Sequence, residues 1–270
     1  MIETIKIHDI LTIAFEAGQK ILDIYHAESF EVDLKSDASP VTIADKTAHQ
    51  YIYEQLTDKY PDIPIISEEG EILDFKTRQQ WPYTWLVDPL DGTKEFIKKN
   101  GEFTINIGLI ENGSPIAGVI YIPAQETMYF ASKATGSYKL SDCTRIIGQS
   151  TEQLLASAQK LPLPKQHDAI RVVVSRSHFS PETECYLKQL AQLYPKVETI
   201  SSGSSIKMCL VAEGAADIYP RLSYSMEWDT AAGEAIVTYS GAHVEVYPSK
   251  APMQYNKQQL KNPFHIVHRA

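Results

Sequence analysis

Apolar residues recur at steps of three and four through Ile10, Ala14, Ala17, Ile21 and Ile24, which predicts an amphipathic helix over residues 4–26. A second helix is predicted from about 43 to 59, with Ala44, Ala48, Ile52 and Leu56 on one face. Thr42 suits its N-cap, and Asp45, three residues on, suits the acid of a capping box. Ile63–Ile66 and Trp85–Val87 are continuous apolar runs and read as short buried strands. Residues 74–82 read as a linker. Phe103–Ile110, Pro115–Tyr121 and Thr127–Ser132 read as strands of an antiparallel sheet spanning about 103–140. The Asn112-Gly113 pair between the first two supplies the positive φ angles of a tight hairpin.

Residues 141–168 are weakly patterned and broken by Pro162 and Pro164, so a boundary is expected near 150, dividing 1–150 from 151–270. Beyond it, strands and helices alternate. Strands are predicted at Ile170–Val174, Val197–Ile200, Ala216–Arg221, His243–Tyr247 and Phe264–Val267. Helices are predicted from Ser180-Pro181, at Ser204–Glu213, and at Thr230–Tyr239 closed by Gly241. An N-terminal α+β part with an antiparallel sheet, followed by a C-terminal α/β part, is the expected organisation.

Composition narrows the function classes. The 270 residues are 43% hydrophobic and 22% charged, which is ordinary for a globular chain. With 25 basic and 34 acidic residues the formal charge is −9, a poor balance for binding nucleic acid. The one dense basic patch, Lys94, Lys98 and Lys99, encloses Glu95. No apolar run approaches the roughly 18 residues of a spanning helix, and the first ten residues lack the pattern of a signal peptide. Cys143, Cys185 and Cys209 are widely spaced, with no CxxC, so no disulfide framework or zinc site is expected. All three are expected to be buried as small hydrophobes.

The acidity is uneven. Residues 62–91 hold seven carboxylates where an even spread would give about four. Glu68 and Glu69 follow one apolar run and Asp88 follows the other, at strand ends where layered proteins place ligand sites. In Asp88-Pro89-Leu90-Asp91-Gly92-Thr93, two acids three apart can converge if the backbone turns, and Pro89 favours such a turn. The Leu90 carbonyl would add a third hard oxygen, a donor set that suits Mg²⁺. Gly92 allows close backbone approach, and a helix beginning at Thr93 would offer free N–H groups to a phosphate. An Asx-type turn is the plain alternative for the hexapeptide, as helix capping is for Asp45 and Asp229.

Three spaced motifs make the reading specific: Ser67-Glu68-Glu69, Trp85–Thr93, and Trp228-Asp229-Thr230-Ala231-Ala232. Their order resembles the lithium-sensitive, Mg²⁺-dependent phosphatase superfamily of inositol monophosphatases, fructose-1,6-bisphosphatases and 3′(2′),5′-bisphosphate nucleotidases. Lys94–Ile97, Asn100–Thr104, Val174–His178 and Gly203–Lys207 resemble the bacterial CysQ-type nucleotidase branch. The resemblance implies an αβαβα layered sandwich of the sugar-phosphatase kind. It implies two or three Mg²⁺ held by Glu68, Asp88, the Leu90 carbonyl, Asp91 and Asp229, with Asp45 supporting a weaker metal or the adjacent water. Thr93, with Glu68 or Asp45, would orient the attacking water. The Gly92 and Thr93 N–H groups would hold the scissile phosphate. His178, Ser204, Lys207 and Arg221 would contact the nucleotide and its second phosphate. The implied reaction is hydrolysis of adenosine 3′,5′-bisphosphate to AMP and phosphate, with the 5′-phosphosulfate analogue as a further substrate, in sulfur assimilation. The implied location is the cytoplasm, with room for peripheral attachment to the inner membrane.

An inositol or sugar phosphatase is the runner-up within the class, and a non-catalytic sensor of nucleotide or metal is the alternative outside it. The acids at i and i+3 disfavour a haloacid-dehalogenase phosphatase, whose acids stand at i and i+2. The absence of GxxxxGK[ST] disfavours a P-loop enzyme. Glu227 adds a charge beside Asp229, facing either the site or solvent, and Tyr224 and Met226 stand where they could shape a base pocket.

Overall fold

The computed structural model describes residues 5–27, 32–34, 40–165, 168–176 and 179–269. The first part runs α1 (Ile7–Tyr25), β1 (Val32–Leu34), β2 (Pro40–Thr42), α2 (Ile43–Lys59), β3 (Ile65–Ser67), α3 (Phe75–Arg78), β4 (Tyr83–Asp91) and α4 (Thr93–Ile97). It continues through β5 (Thr104–Glu111), β6 (Ser114–Ile122), β7 (Thr127–Ser132), β8 (Gly136–Ser141), α5 (Thr151–Ser157) and β9 (Gln159–Lys160). The rest is β10 (Ile170–Ser175), α6 (Pro181–Leu193), β11 (Val197–Ser202), α7 (Ile206–Glu213), β12 (Ile218–Arg221), α8 (Glu227–Tyr239), β13 (His243–Val246) and β14 (His265–His268).

Five layers result. Helices α1 and α2 cover one face of a seven-stranded sheet ordered β3-β4-β5-β6-β7-β8-β9. Helices α7 and α8 lie between that sheet and a five-stranded one ordered β11-β10-β12-β14-β13. Helix α6 covers the far side of the smaller sheet. This is the expected αβαβα sandwich. The α1 stripe of Ile10, Ala14, Ala17 and Ile21 is fully buried against the large sheet, as its periodicity requires. Thr42 and Asp45 form the capping box of α2. The β5–β6 turn has Asn112 and Gly113 at φ 49° and 80°, the left-handed pair that matches strand twist.

Several boundaries differ from the sequence reading, each for a local reason. The antiparallel sheet begins earlier than 103, because β4 pairs with β5, and β3 joins β4 in parallel. Within the expected linker, Asp74 accepts the Thr77 N–H at 2.8 Å and caps the short α3, which is too brief to show a period. The expected division near 150 falls between β8 and α5, and β9 beyond it pairs with β8. The smaller sheet is mixed: β10, β11 and β12 are parallel, while β14 and β13 add antiparallel strands. Cys143 and Cys209 are buried, but Cys185 is exposed, because the short α6 buries only a narrow stripe.

Two contacts fix how the layers meet. The backbone of α8 lies directly on Gly108 of β5 and Gly118 of β6. A Cβ at Gly118 would stand 2.7 Å from the Ala232 Cα, and one at Gly108 would stand 2.8 Å from the Ala232 nitrogen. No helix among the described residues is long and apolar enough to cross a membrane.

Candidate active site

The acids gather where β3, β4 and α8 end or begin. Glu68 follows β3, and its N–H donates to the Val87 carbonyl at 3.1 Å. The ladder between β4 and β5 pairs Asp88 with Asn106, then shifts before pairing Asp91 with Thr104. The irregularity falls at Pro89-Leu90, where Pro has no N–H to give the ladder. There the Leu90 N–H donates to Asp88 Oδ1 at 3.0 Å, closing the turn that swings the two acids toward one another. Gly92, at φ 92°, then caps α4, a conformation that a residue with a Cβ would strain to adopt.

Asp45 serves its capping role and the site together. Its Oδ2 accepts from the Thr42 N–H and hydroxyl at 2.7 and 2.6 Å, while its Oδ1 accepts from the Thr93 hydroxyl at 3.1 Å. The Thr93 oxygen also lies 3.5 Å from the Leu90 carbonyl.

The sequence places Asp229 at or near the N-cap of a helix starting at Thr230. Helix α8 instead starts at Glu227, which puts Asp229 in its first turn. Its Oδ2 accepts the Met226 N–H at 3.0 Å, so the acid reaches back to serve an N-cap residue that has no oxygen of its own. Glu227 faces neither the site nor solvent. It is fully buried and accepts from the Asn256 N–H at 2.5 Å, the Lys257 N–H at 3.1 Å and the Lys257 ammonium at 2.5 Å.

These elements enclose a cavity of about 210 Å³. It brings together Glu68, Asp91, Gly92, Thr93 and Asp229 with Ser204, Lys207 and Arg221, and Asp45, Asp88 and Leu90 are buried. The Lys207 ammonium is buried, donates to the carbonyls of Ser202 and Ser204, and lies over the Tyr219 ring. The Ser204 hydroxyl is buried and makes no hydrogen bond to the described residues. Tyr224 is largely exposed and lies outside the cavity lining, and its carbonyl accepts from Arg221 at 2.6 Å. His178 lies outside the described residues.

The electrostatics are those of buried charges, with like charges crowded among them. Burial holds Asp88 well above the usual carboxylate range, and Glu68, Asp91 and Asp229 push it further. Burial also raises Asp91, against the opposing pull of Lys207 and Arg221. Asp229 is pushed up to about 7 by burial and by Asp91. Asp45 is raised by burial. Lys207 is pushed down to about 8 by burial and by Arg221.

Carboxylates raised by burial first, and in Asp88 and Asp229 by the charge of neighbouring acids as well, fit a divalent cation, and an all-oxygen donor set fits Mg²⁺ rather than a soft metal. Among the described residues no three His, Cys, Asp or Glu side chains are arranged to hold an ion unaided. Mg²⁺ ordinarily keeps several waters and takes few carboxylates, so a complete protein cage is not required.

Three features of this region leave no mark in the sequence pattern. Glu95 lines its wall and is only 4% exposed. Ser175 and Ser225 also contribute to the lining. Outside the lining, Glu102 accepts two 2.7 Å hydrogen bonds from Arg176 and one at 2.8 Å from the Gly203 N–H, tying the α4–β5 loop to the smaller sheet. Glu95 and Glu102 sit in a stretch dense in charges, which reads as a solvated surface until the smaller sheet closes over it.

Comparison with known proteins identifies the family and the fold. The model of the inositol monophosphatase family matches residues 2–260. The chain is 43% identical over 258 residues to the 3′(2′),5′-bisphosphate nucleotidase CysQ of Salmonella typhimurium, covering 95% of this chain and 97% of that one. It is likewise 43% identical over 253 residues to the CysQ nucleotidase of Escherichia coli strain K12, covering 93% and 94%. Among solved structures, CysQ from Bacteroides thetaiotaomicron superposes with a TM-score of 0.86 at 47% identity, covering 95% of this chain and 94% of that one. The extragenic suppressor protein suhB of Bartonella henselae shares the fold, with a TM-score of 0.72 at 22% identity over 97% of this chain and 93% of that one.

Proposed function

The chain belongs to the inositol monophosphatase family as a CysQ-type member, and on that premise we propose that it is a 3′(2′),5′-bisphosphate nucleotidase hydrolysing adenosine 3′,5′-bisphosphate to AMP and phosphate. The observation that carries the substrate assignment is the pairing of Lys207 and Arg221 in the cavity that holds Glu68, Asp91 and Asp229. Lys207 and Arg221 act on Asp91 in the same cavity, and cations that neutralised that acid would leave the two side chains available to a further anion. A second phosphate supplies one.

Glu68, Asp88, Asp91, Asp229 and the Leu90 carbonyl would hold two or three Mg²⁺ ions. When bound, Mg²⁺ supplies a more acidic water and neutralises charge on the phosphoryl group. The rest falls to the chain. The Thr93 hydroxyl donates to Asp45, so its lone pairs are left to accept from the attacking water and aim it at phosphorus. Asp45, its proton affinity raised by burial, suits the role of final acceptor. The Gly92 and Thr93 N–H groups would hold the scissile phosphoryl oxygens. As water's oxygen bonds to phosphorus, the bond to the ribose 3′-oxygen breaks and that oxygen takes a proton from a second, solvent water, while Asp45 returns the first proton to solvent. Ser204, Lys207 and Arg221 would bind the 5′-phosphate, and the 5′-phosphosulfate analogue would enter in the same way. His178 stays in the proposal as a nucleotide contact.

In this reading residues 1–150 supply most metal ligands, and residues 151–270 supply the nucleotide contacts and Asp229. The reaction is assigned to the cytoplasm, at or near the inner membrane face. The deciding experiment measures phosphate release from adenosine 3′,5′-bisphosphate and from inositol 1-phosphate, with Mg²⁺ and then a lithium titration. Preference for the bisphosphate, inhibited by lithium, is expected. Preference for the inositol ester would overturn the assignment, and tight binding without turnover would indicate a sensor.

A further inference from the structure

Among the described residues the cavity lining includes Glu95, a buried carboxylate outside the metal set whose charge also acts on Lys207 and Arg176. Glu95 lines the wall at 4% exposure, and its location is constrained from two sides. Its Oε2 lies 3.4 Å from where a Gly92 Cβ would stand, which puts it beside the backbone assigned to the scissile phosphate. Its Cγ lies 2.8 Å from where a Gly203 Cβ would stand, so the bare Cα of Gly203 makes room for it. The chain behind it is fixed by Phe96, which is fully buried.

A carboxylate in that place cannot serve a phosphate oxygen, since two negative groups in contact repel strongly where water is thin. The surface of the substrate that meets it must donate a hydrogen bond. Because Glu95 sits next to the phosphoryl cradle rather than at the far end of the cavity, the donor belongs on the carbon next to the esterified one. On a nucleoside 3′,5′-bisphosphate that donor is the ribose 2′-hydroxyl.

We propose that Glu95 is a specificity-determining residue that accepts a hydrogen bond from the sugar hydroxyl vicinal to the scissile phosphate, so that the enzyme selects ribonucleotides over their 2′-deoxy counterparts. This inference rests on the nucleotidase reading above.

The test compares adenosine 3′,5′-bisphosphate with 2′-deoxyadenosine 3′,5′-bisphosphate, using wild type, Glu95→Met and Glu95→Gln, with thermal unfolding to establish that each variant is folded. A hydrogen bond to a charged group predicts that wild type favours the ribose substrate in kcat/KM by roughly 10- to 100-fold. Glu95→Met removes the acceptor at similar length, and should bring the two substrates within about threefold of each other, chiefly by loss on the ribose substrate. Glu95→Gln keeps an uncharged acceptor and should fall between. Three results would overturn the inference: wild type indifferent to the 2′-hydroxyl, an undiminished ratio in Glu95→Met, or equal losses on both substrates. Failure of wild type to turn over either compound would instead count against the nucleotidase reading.

Discussion

Replacing Asp229 by Asn should stabilise the protein when no Mg²⁺ is present, by an amount that depends on pH. Asp229 is pushed up to about 7 from an ordinary 3.8, through burial and the charge of Asp91. Each unit corresponds to about 1.4 kcal/mol, so keeping the group ionised above pH 7 costs the fold about 4 kcal/mol. The sign follows from the direction of the shift. An acid raised on folding favours the fold in its protonated form, so that stability is intact below pH 3.8 and is lost as pH climbs through 7. At pH 5 the cost is only about 2 kcal/mol. Asn cannot ionise, yet it keeps an oxygen to accept the Met226 N–H, so the start of α8 retains its bond. At about 2–4 °C per kcal/mol for a chain of this size, the variant should melt on the order of 10 °C above wild type at pH 8, and about half as far above it at pH 5. Calorimetry in EDTA measures both differences. Adding Mg²⁺ should raise wild type more than the variant, because binding to the folded state alone stabilises it. A variant that melts below wild type at pH 8, or a gain equal at both pH values, would refute the crowded-carboxylate account.

Thr93→Ala should lower kcat by roughly 10²- to 10⁴-fold with KM little changed, and an effect confined to KM would count against its role in orienting water. Lys207→Ala should raise KM for the bisphosphate more than for a simple phosphate monoester, whereas equal effects would remove it from the second-phosphate site. Glu234 is raised to about 7 by burial, although Tyr255 donates to it at 2.6 Å. By the same sign argument, Glu234→Gln should be more stable than wild type by about 3 kcal/mol at pH 8, shrinking toward pH 5. Denaturant titrations at the two pH values measure it.

What the sequence made legible was what local rules enforce. The stripe of α1 and the capping box of α2 depend on spacings of three and four, and the structure contains both. Acids at the ends of short apolar runs were visible for the same reason. The start of α8 was misplaced because an acid before an apolar run reads as an N-cap, and Asp229 caps by reaching back to Met226 from inside the helix. Glu95 is hidden in the sequence because Lys94, Lys98 and Lys99 around it suggest a solvated face, whereas in the fold it is buried with Gly203 packed close against its side chain. Glu227 is similar: its partners come from the Asn256-Lys257 loop, nearly thirty residues away. Contacts made between layers leave no period in the chain.

The two glycines under α8 have a consequence for how far the enzyme can vary. Asp229 rides on that helix, while Asp91 rides on β4 of the sheet beneath it. Their separation is therefore a calibration set by bare Cα atoms at Gly108 and Gly118. A methyl group at either would meet the Ala232 backbone, which cannot swing aside as a side chain could. The helix would have to ride outward and carry one acid away from the other, and a displacement of about 1 Å in a reacting geometry can cost on the order of 10²-fold in rate. The catalytic tolerance of the molecule is thus inscribed at positions outside the cavity lining, where a one-carbon change would detune an otherwise intact set of carboxylates.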